Sequence, residues 1–350
     1  MRNRFQTTLR LENQGRPPVW FMRQAGRYHS HYQGMKKRYS FIDLCKVPEA
    51  ACETTMGPID DFGFDAAILF SDLLFPLEAL GMGLRYVPGP KLDFHVRTKS
   101  DLSRLSSEGV GLLPKLEFQA QALQKIRRAL PEDKGLLGFV GGPLTLFYYA
   151  AVGSHQGGNL AEARKGLDDG RWEGFCDRLL DLLAHNMALQ ARNGVDTIAV
   201  MDTCAGDVEP DVYAHRVVPV LQDLFARYRA LCPDVPITFY SKGTDSRWWD
   251  SLKDLPIAAI GVDWNTDVVQ VLKRYGGRWA IQGNFDPSDL FLPLEKLEPK
   301  LRHWMERVKR EVPLSLRQGW VCGLGHGVLQ HTPEASVRLF LRLQKEIFGE

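Results

Sequence analysis

Two arginines stand four residues apart in Met22-Arg23-Gln24-Ala25-Gly26-Arg27-Tyr28, directly after the apolar run Val19–Met22 and around a glycine that lets the chain bend. Guanidinium groups stay charged and fork onto planar anions, so such a pair can grip carboxylates. The same two residues could equally be solvated arginines on a turn. In Phe70-Ser71-Asp72 a carboxylate closes the apolar stretch AAILF. An ionised group against apolar walls is expensive unless something pairs with it, which points to a ligand-facing acid. The competing use is to cap the next helix. Gly141-Gly142-Pro143-Leu144-Thr145-Leu146-Phe147-Tyr148-Tyr149 offers two phenols that could hydrogen-bond a bound acid or simply pack. It is no dinucleotide fingerprint, since GxGxxG is absent. The glycine-rich stretch that follows, around Gly158, reads as a mobile lid. Gly323-Leu324-Gly325-His326-Gly327 sets a histidine among three glycines, where backbone can approach a ligand closely and the imidazole can donate near neutral pH, although a structural histidine fits as well. His29-x-His31 has metal-ligand character but no third ligand nearby in sequence.

These residues need elements to hold them. Short β-prone runs alternate with longer amphipathic stretches, the pattern of a parallel sheet with helical crossovers. The strand candidates are Val19–Met22, Asp65–Phe70, Leu136–Val140, Asp196–Met201, Val235–Tyr240, Ile257–Val262, Arg278–Ile281 and Gly319–Cys322. Helix candidates between them are Glu49–Asp61, Leu113–Ala129, Trp172–Asn193, Pro210–Leu231, Thr266–Tyr275 and Leu294–Glu311. Thr332-Pro333-Glu334 reads as an N-cap, a first-turn proline and a first-turn acid opening a last helix. Eight strands of this kind predict an α/β fold, a single (β/α)8 TIM barrel over residues 1–350. A two-stranded hairpin excursion, Leu84–Val96, is expected in the second βα loop. The polar and glycine residues follow the strand candidates directly, on the rim where barrel enzymes carry their chemistry.

Composition excludes several classes. With 350 residues, 44% hydrophobic and 25% charged, the chain is an ordinary globular one. A formal net charge of +2 gives no basic footprint for nucleic acid. The polar N-terminus has no apolar run for a signal peptide or anchor, so a cytoplasmic location is expected and no membrane partner. Six cysteines without a CxxC pair predict reduced, mostly buried thiols rather than disulfides or a zinc knuckle.

In order along the chain stand VWFMRQAGRY, DAAILFSDLLF with ALGMGL, GGPLTL with a following Tyr, FYSKG, GVDW, QGNFDP and GLGHGVL. Together, from about Pro17 to the C-terminus, they resemble the uroporphyrinogen decarboxylases in order and spacing. The resemblance implies a homodimeric barrel that removes carbon dioxide from the four acetate side chains of uroporphyrinogen III to give coproporphyrinogen III, with no cofactor and no metal. By matching position, Arg23 and Arg27 would bind substrate carboxylates and Asp72 would accept the pyrrole N–H groups, with Tyr149 and His326 completing the catalytic set. Gln24, Ala25, Gly26, Phe70, Met201 and Thr203 would line the substrate, Thr203 in the place of a family serine.

Departures from the family pattern fall on the periphery of that set. His29-Ser30-His31-Tyr32-Gln33 and Lys36 replace a usual proline and arginines, Leu144 a frequent tryptophan, and Met201 a usual phenylalanine. The pyrrole ring itself is the expected electron sink for the departing carboxylate. One rival reading is a corrinoid or thiol methyltransferase with zinc held by an HxC pair, but Tyr240-Ser241-Lys242 stands where that pair would be. A second is a tetrapyrrole-binding protein that has lost turnover.

Overall fold

The segment between the helices Arg4–Leu9 and Ser30–Arg38 is held by a buried ion pair together with a few backbone hydrogen bonds. Arg16 forks onto Asp65 with both N···O distances at 2.7 Å. Asp65 Oδ2 also accepts from the Val19 N–H at 2.7 Å, and the Asp65 N–H returns a bond to the Val19 carbonyl. The computed structural model in which these contacts occur describes residues 2–87, 89–154 and 160–349, so the expected lid around Gly158 lies outside the described residues. Six free cysteines, four of them buried, match the expected thiols.

The fold is α/β. The chain divides into two compact units, one made of residues 1–70, 125–137 and 257–350 and the other of 71–124 and 138–256. In the first unit, β1 (Ala66–Ile68) runs parallel to the start of β4 (Gly135–Gly141), Ala66 opposite Gly135. There too β7 (Ile257–Gly261), β8 (Ala280–Phe285) and β9 (Trp320–Leu324) pair in parallel, with Ile281 opposite Trp320. In the second unit, β5 (Thr197–Asp202) pairs in parallel with β6 (Ile237–Ser241), Met201 opposite Tyr240. Also there, β2 (Arg85–Tyr86) and β3 (Pro90–Lys91) form a small antiparallel pair. The parallel strands are buried on nearly every residue, as expected of strands covered on both faces.

Seven of the eight expected parallel strands form. The eighth, Val19–Met22, is corrected to a single parallel bridge from Val19 to Cys322. The reason lies in side chains that occupy the ladder positions. Gln24 Oε1 accepts from the Phe21 N–H at 3.3 Å, and Gln24 Nε2 donates to the Ala66 carbonyl at 2.9 Å. An amide side chain thus stands between this segment and β1, where backbone would otherwise meet backbone. The segment still runs between neighbours, since the Cys322 N–H donates to the Pro18 carbonyl and the Val328 N–H to that of Met22.

The expected helices form with small shifts, for example Pro48–Phe62, Arg171–Arg192 and Leu294–Glu311. The Pro210–Leu231 stretch instead breaks into Pro210–Val212, a π-turn over Tyr213–Val217 and Val218–Leu231. The expected cap of the last helix, Glu334–Phe348, is also corrected. Pro333 itself is the N-cap, no side chain caps it, and the Glu334 carboxylate accepts from the Ser30 N–H at 2.7 Å. A helix that the sequence reading treated as loop covers Pro143–Val152. Gly142 caps it, Pro143 presets its first φ, and Gly153 in the left-handed region, φ 76°, ends it.

Candidate active site

In the first unit the two arginines stand on a tight turn. The Tyr28 hydroxyl donates to the Gln24 carbonyl at 2.8 Å and the His29 N–H to that of Gly26 at 2.9 Å. Arg23 sits in the left-handed region with φ 61°, a conformation that costs an L-residue about 1–2 kcal/mol. Its neighbour Gln24 imposes it, being buried and bonded on both sides of its amide. Gly26 is required as well, because a Cβ there would lie 2.8 Å from the Arg23 carbonyl oxygen.

Both guanidinium groups are exposed, and among the described residues neither Arg23 nor Arg27 forms an ion pair. Two guanidinium groups without an ion-pair partner at the end of a buried segment have the chemistry to take carboxylates. Arg27 faces Tyr32, whose phenol burial pushes up to about 12 while the arginine charge acts the other way. The Tyr32 and Phe70 rings lie 5.5 Å apart, tilted by 44°, so Phe70 packs on the same aromatic residue that Arg27 faces.

The GLGHG segment meets the first arginine. A Cβ on Gly327 would lie 2.5 Å from Arg23 Cδ and 2.8 Å from its Cγ, so the stem of Arg23 rests on the missing side chain. Gly325 and Gly323 are fixed the same way, their Cβ atoms falling 2.5 Å from the Trp264 nitrogen and 2.4 Å from the Trp20 carbonyl. His326, half-buried between them, lies 6.3 Å from the Trp264 ring and tilted by 34°. Arg23, Arg27, Phe70 and His326 therefore all follow the carboxyl ends of parallel chain segments in this unit. His29 is buried against Asp61, Nε2 to Oδ2 at 2.7 Å, and burial lowers its pKa. No group of three metal-ligating side chains occurs among the described residues.

In the second unit, Asp72 is half-buried, and its Oδ1 accepts from the Leu74 N–H at 2.9 Å. That is a turn-type contact with the following chain and not a helix cap, since the helix Phe75–Leu77 has Leu74 as its N-cap and no side-chain cap. The two tyrosines separate clearly. Tyr148 is fully buried and gives its hydroxyl to Asp207 at 2.7 Å, while Tyr149 keeps slight exposure. Met201 is buried, its carbonyl accepting from the Gly142 N–H at 2.8 Å, and Thr203 is half-buried beyond the end of β5.

Between Met201 and Thr203 lies an acid that the sequence reading sets on the rim after the fourth strand but gives no role. Asp202 is fully buried, accepting from Thr145 Oγ1 at 2.9 Å and from the Tyr213 hydroxyl at 2.7 Å. Thr145 Oγ1 also accepts from the Cys204 N–H at 3.2 Å. This clamp ties the helix that carries Tyr149 to the loop that carries Thr203. The signal was available: an acid closing the apolar run TIAVM is the pattern that drew attention to Asp72.

The family model for uroporphyrinogen decarboxylase (URO-D) matches residues 1–347. The uroporphyrinogen decarboxylase of Chloroflexus aurantiacus is 35% identical over 97% of this chain and 94% of its own length. That of Solibacter usitatus is 33% identical over 99% and 98%. Among solved structures, a methyltransferase from Methanosarcina mazei superposes with a TM-score of 0.78 over 99% of this chain and 98% of its own, at 17% identity, a likeness of fold. With the arginine turn, the serine–aspartate loop and the glycine–histidine loop all in place, the chain belongs to the uroporphyrinogen decarboxylase family.

Proposed function

We propose that this chain is a uroporphyrinogen decarboxylase, a carboxy-lyase of haem and tetrapyrrole biosynthesis. It removes carbon dioxide from the four acetate side chains of uroporphyrinogen III to give coproporphyrinogen III. The observation that carries the reading is the Arg23 turn seated on Gly327, which joins the family's first and last motifs in one place. The same proposal takes residues 1–350 as one (β/α)8 barrel. In support, the 18–22 segment runs between β9 and β1, where an eighth strand would lie, and the β2–β3 pair falls in the second βα connection.

Loss of carbon dioxide from an acetate leaves an electron pair that needs a sink. Protonation of a pyrrole carbon makes the ring cationic, and the ring then takes up those electrons as the carboxylate departs. On this reading Asp72 accepts the pyrrole N–H groups and stabilises the cationic ring. Unit charges 4 Å apart interact by about 4 kcal/mol at an effective dielectric near 20, roughly a thousandfold in rate if felt only in the transition state. Arg23 and Arg27 orient the acid groups and compensate their charge. Tyr149, Thr203 and His326 complete the polar contacts, and Gln24, Ala25, Gly26, Phe70 and Met201 shape the surface around them.

A homodimer in the cytoplasm, acting without cofactor or metal, belongs to the same proposal. Among the described residues no helix is long and apolar enough to cross a membrane. The test is anaerobic incubation with uroporphyrinogen followed by chromatography of the oxidised products. Stepwise appearance of products with seven, six, five and four carboxylates is the expected result. Retention of the substrate unchanged but bound would leave only a tetrapyrrole-binding protein.

A further inference from the structure

Next to Asp72 ends a chain of buried amides that the reaction as described leaves without a role. Gln190, on the Arg171–Arg192 helix, is fully buried. Its Oε1 accepts from the Phe139 N–H at 2.8 Å, and its Nε2 donates to the Phe139 carbonyl at 2.9 Å and to Gln119 Oε1 at 3.2 Å. Gln119, also buried, passes the chain on, its Nε2 donating to Ser71 Oγ at 3.2 Å. Room for the first amide exists only because residue 138 is glycine, since a Cβ there would lie 2.5 Å from Gln190 Oε1.

The chain has one polarity. A backbone N–H can only donate, so Gln190 must turn its oxygen to Phe139. Its NH2 then faces Gln119 Oε1, and the NH2 of Gln119 faces Ser71. No amide in the series can flip without leaving buried partners unpaired, at roughly 1–3 kcal/mol each. Apolar side chains would fill this space without that liability, so two amides here are explained by what they hold in register. They hold Ser71 to β4, and Asp72 follows directly, its carboxylate separately bonded to the Leu74 N–H.

We propose that Gln119 and Gln190 are positioning residues for Asp72, fixing the Ser71 backbone so that the neighbouring carboxylate meets the substrate's pyrrole nitrogens. The proposal rests on the role given to Asp72 above. A displacement of about 1 Å in such a group lowers rate by up to a hundredfold. The loss falls on kcat because the charge of Asp72 is felt mostly by the ring cation, whereas the arginines hold the ground state.

The test compares Gln119→Leu, Ser71→Ala, Ser71→Thr and Asp72→Asn by anaerobic kinetics and thermal melting of the full chain. Gln119→Leu and Ser71→Ala should stay folded and lose about 10- to 100-fold in kcat with KM within about threefold. Ser71→Thr, which keeps an acceptor oxygen, should recover most of what Ser71→Ala loses. In an Asp72→Glu background, where the carboxylate is already displaced, Gln119→Leu should add less than about threefold. Full kcat in both folded variants beside an inactive Asp72→Asn would overturn the relay and leave the role of Asp72 standing. Losses that simply multiply in the Asp72→Glu background would overturn it too, marking a merely structural effect. Normal turnover by Asp72→Asn would remove the reading of the active site and the relay with it. Should Gln119→Leu not fold, Ser71→Ala at its half-buried site carries the same comparison.

Discussion

Asp202 makes stability fall as pH rises, and Asp202→Asn should remove that slope. Burial pushes its carboxyl from the ordinary 3.8 up to about 6, against the hydroxyls of Tyr213 and Thr145, which favour the anion. The folded state therefore binds this proton more tightly than the unfolded chain does. The stabilising contribution is whole below pH 3.8 and is lost as pH climbs through about 6. At about 1.36 kcal/mol per pH unit the interval amounts to about 3 kcal/mol, a large share of a domain's typical 5–15 kcal/mol, or about that. Asparagine carries no charge at any pH and contributes no slope. Urea unfolding of the parent and of Asp202→Asn, from pH 4 to 7.5, measures this directly. The difference in unfolding free energy, parent minus variant, should fall by about 2.4 kcal/mol across that range, the rest of the contribution lying below pH 4. A flat difference, or one that rises with pH, would mean that the two hydroxyls outweigh burial and would refute the reasoning.

Gly327→Ala should displace the Arg23 stem, 2.5 Å from the new methyl group, and lower kcat/KM by about 10- to 100-fold with little change in melting temperature; parent-level kcat/KM would show that Arg23 does not need its seat. Gln24→Leu should leave the Ala66 carbonyl and the Phe21 N–H unpaired and destabilise the fold by about 2–4 kcal/mol, read as a lowered urea midpoint. EDTA should leave the decarboxylation rate unchanged, because the proposed electron sink is the substrate's own ring; inhibition reversed by added zinc would contradict that.

The apolar runs that became β4 to β9 were legible because parallel strands buried on both faces read as continuous Val, Ile, Leu and Ala stretches. Val19–Met22 reads the same way, yet it makes one bridge. Its would-be ladder is occupied by Gln24 and Asp65, and no period in the sequence reports where a side chain will replace backbone. Likewise Pro143–Val152 is almost wholly apolar, so it lacks the amphipathic period by which other helices were found. The site was legible where spacing carries chemistry, in Arg23 and Arg27 and in the glycines around His326. Single acids and amides that act through partners far along the chain were not. Asp202 depends on Tyr213 and Thr145, and Gln119 on residues 71 positions further on and 48 positions back, pairings that only folding creates.

The central claim is that one carboxylate, Asp72, stabilises the cationic ring from which carbon dioxide leaves. Its most direct test is turnover of uroporphyrinogen by Asp72→Asn under anaerobic conditions, with the melting temperature measured alongside. A folded variant slowed by about a thousandfold, still able to bind the substrate, is the predicted result. Coproporphyrinogen formed at a rate near that of the parent would contradict it.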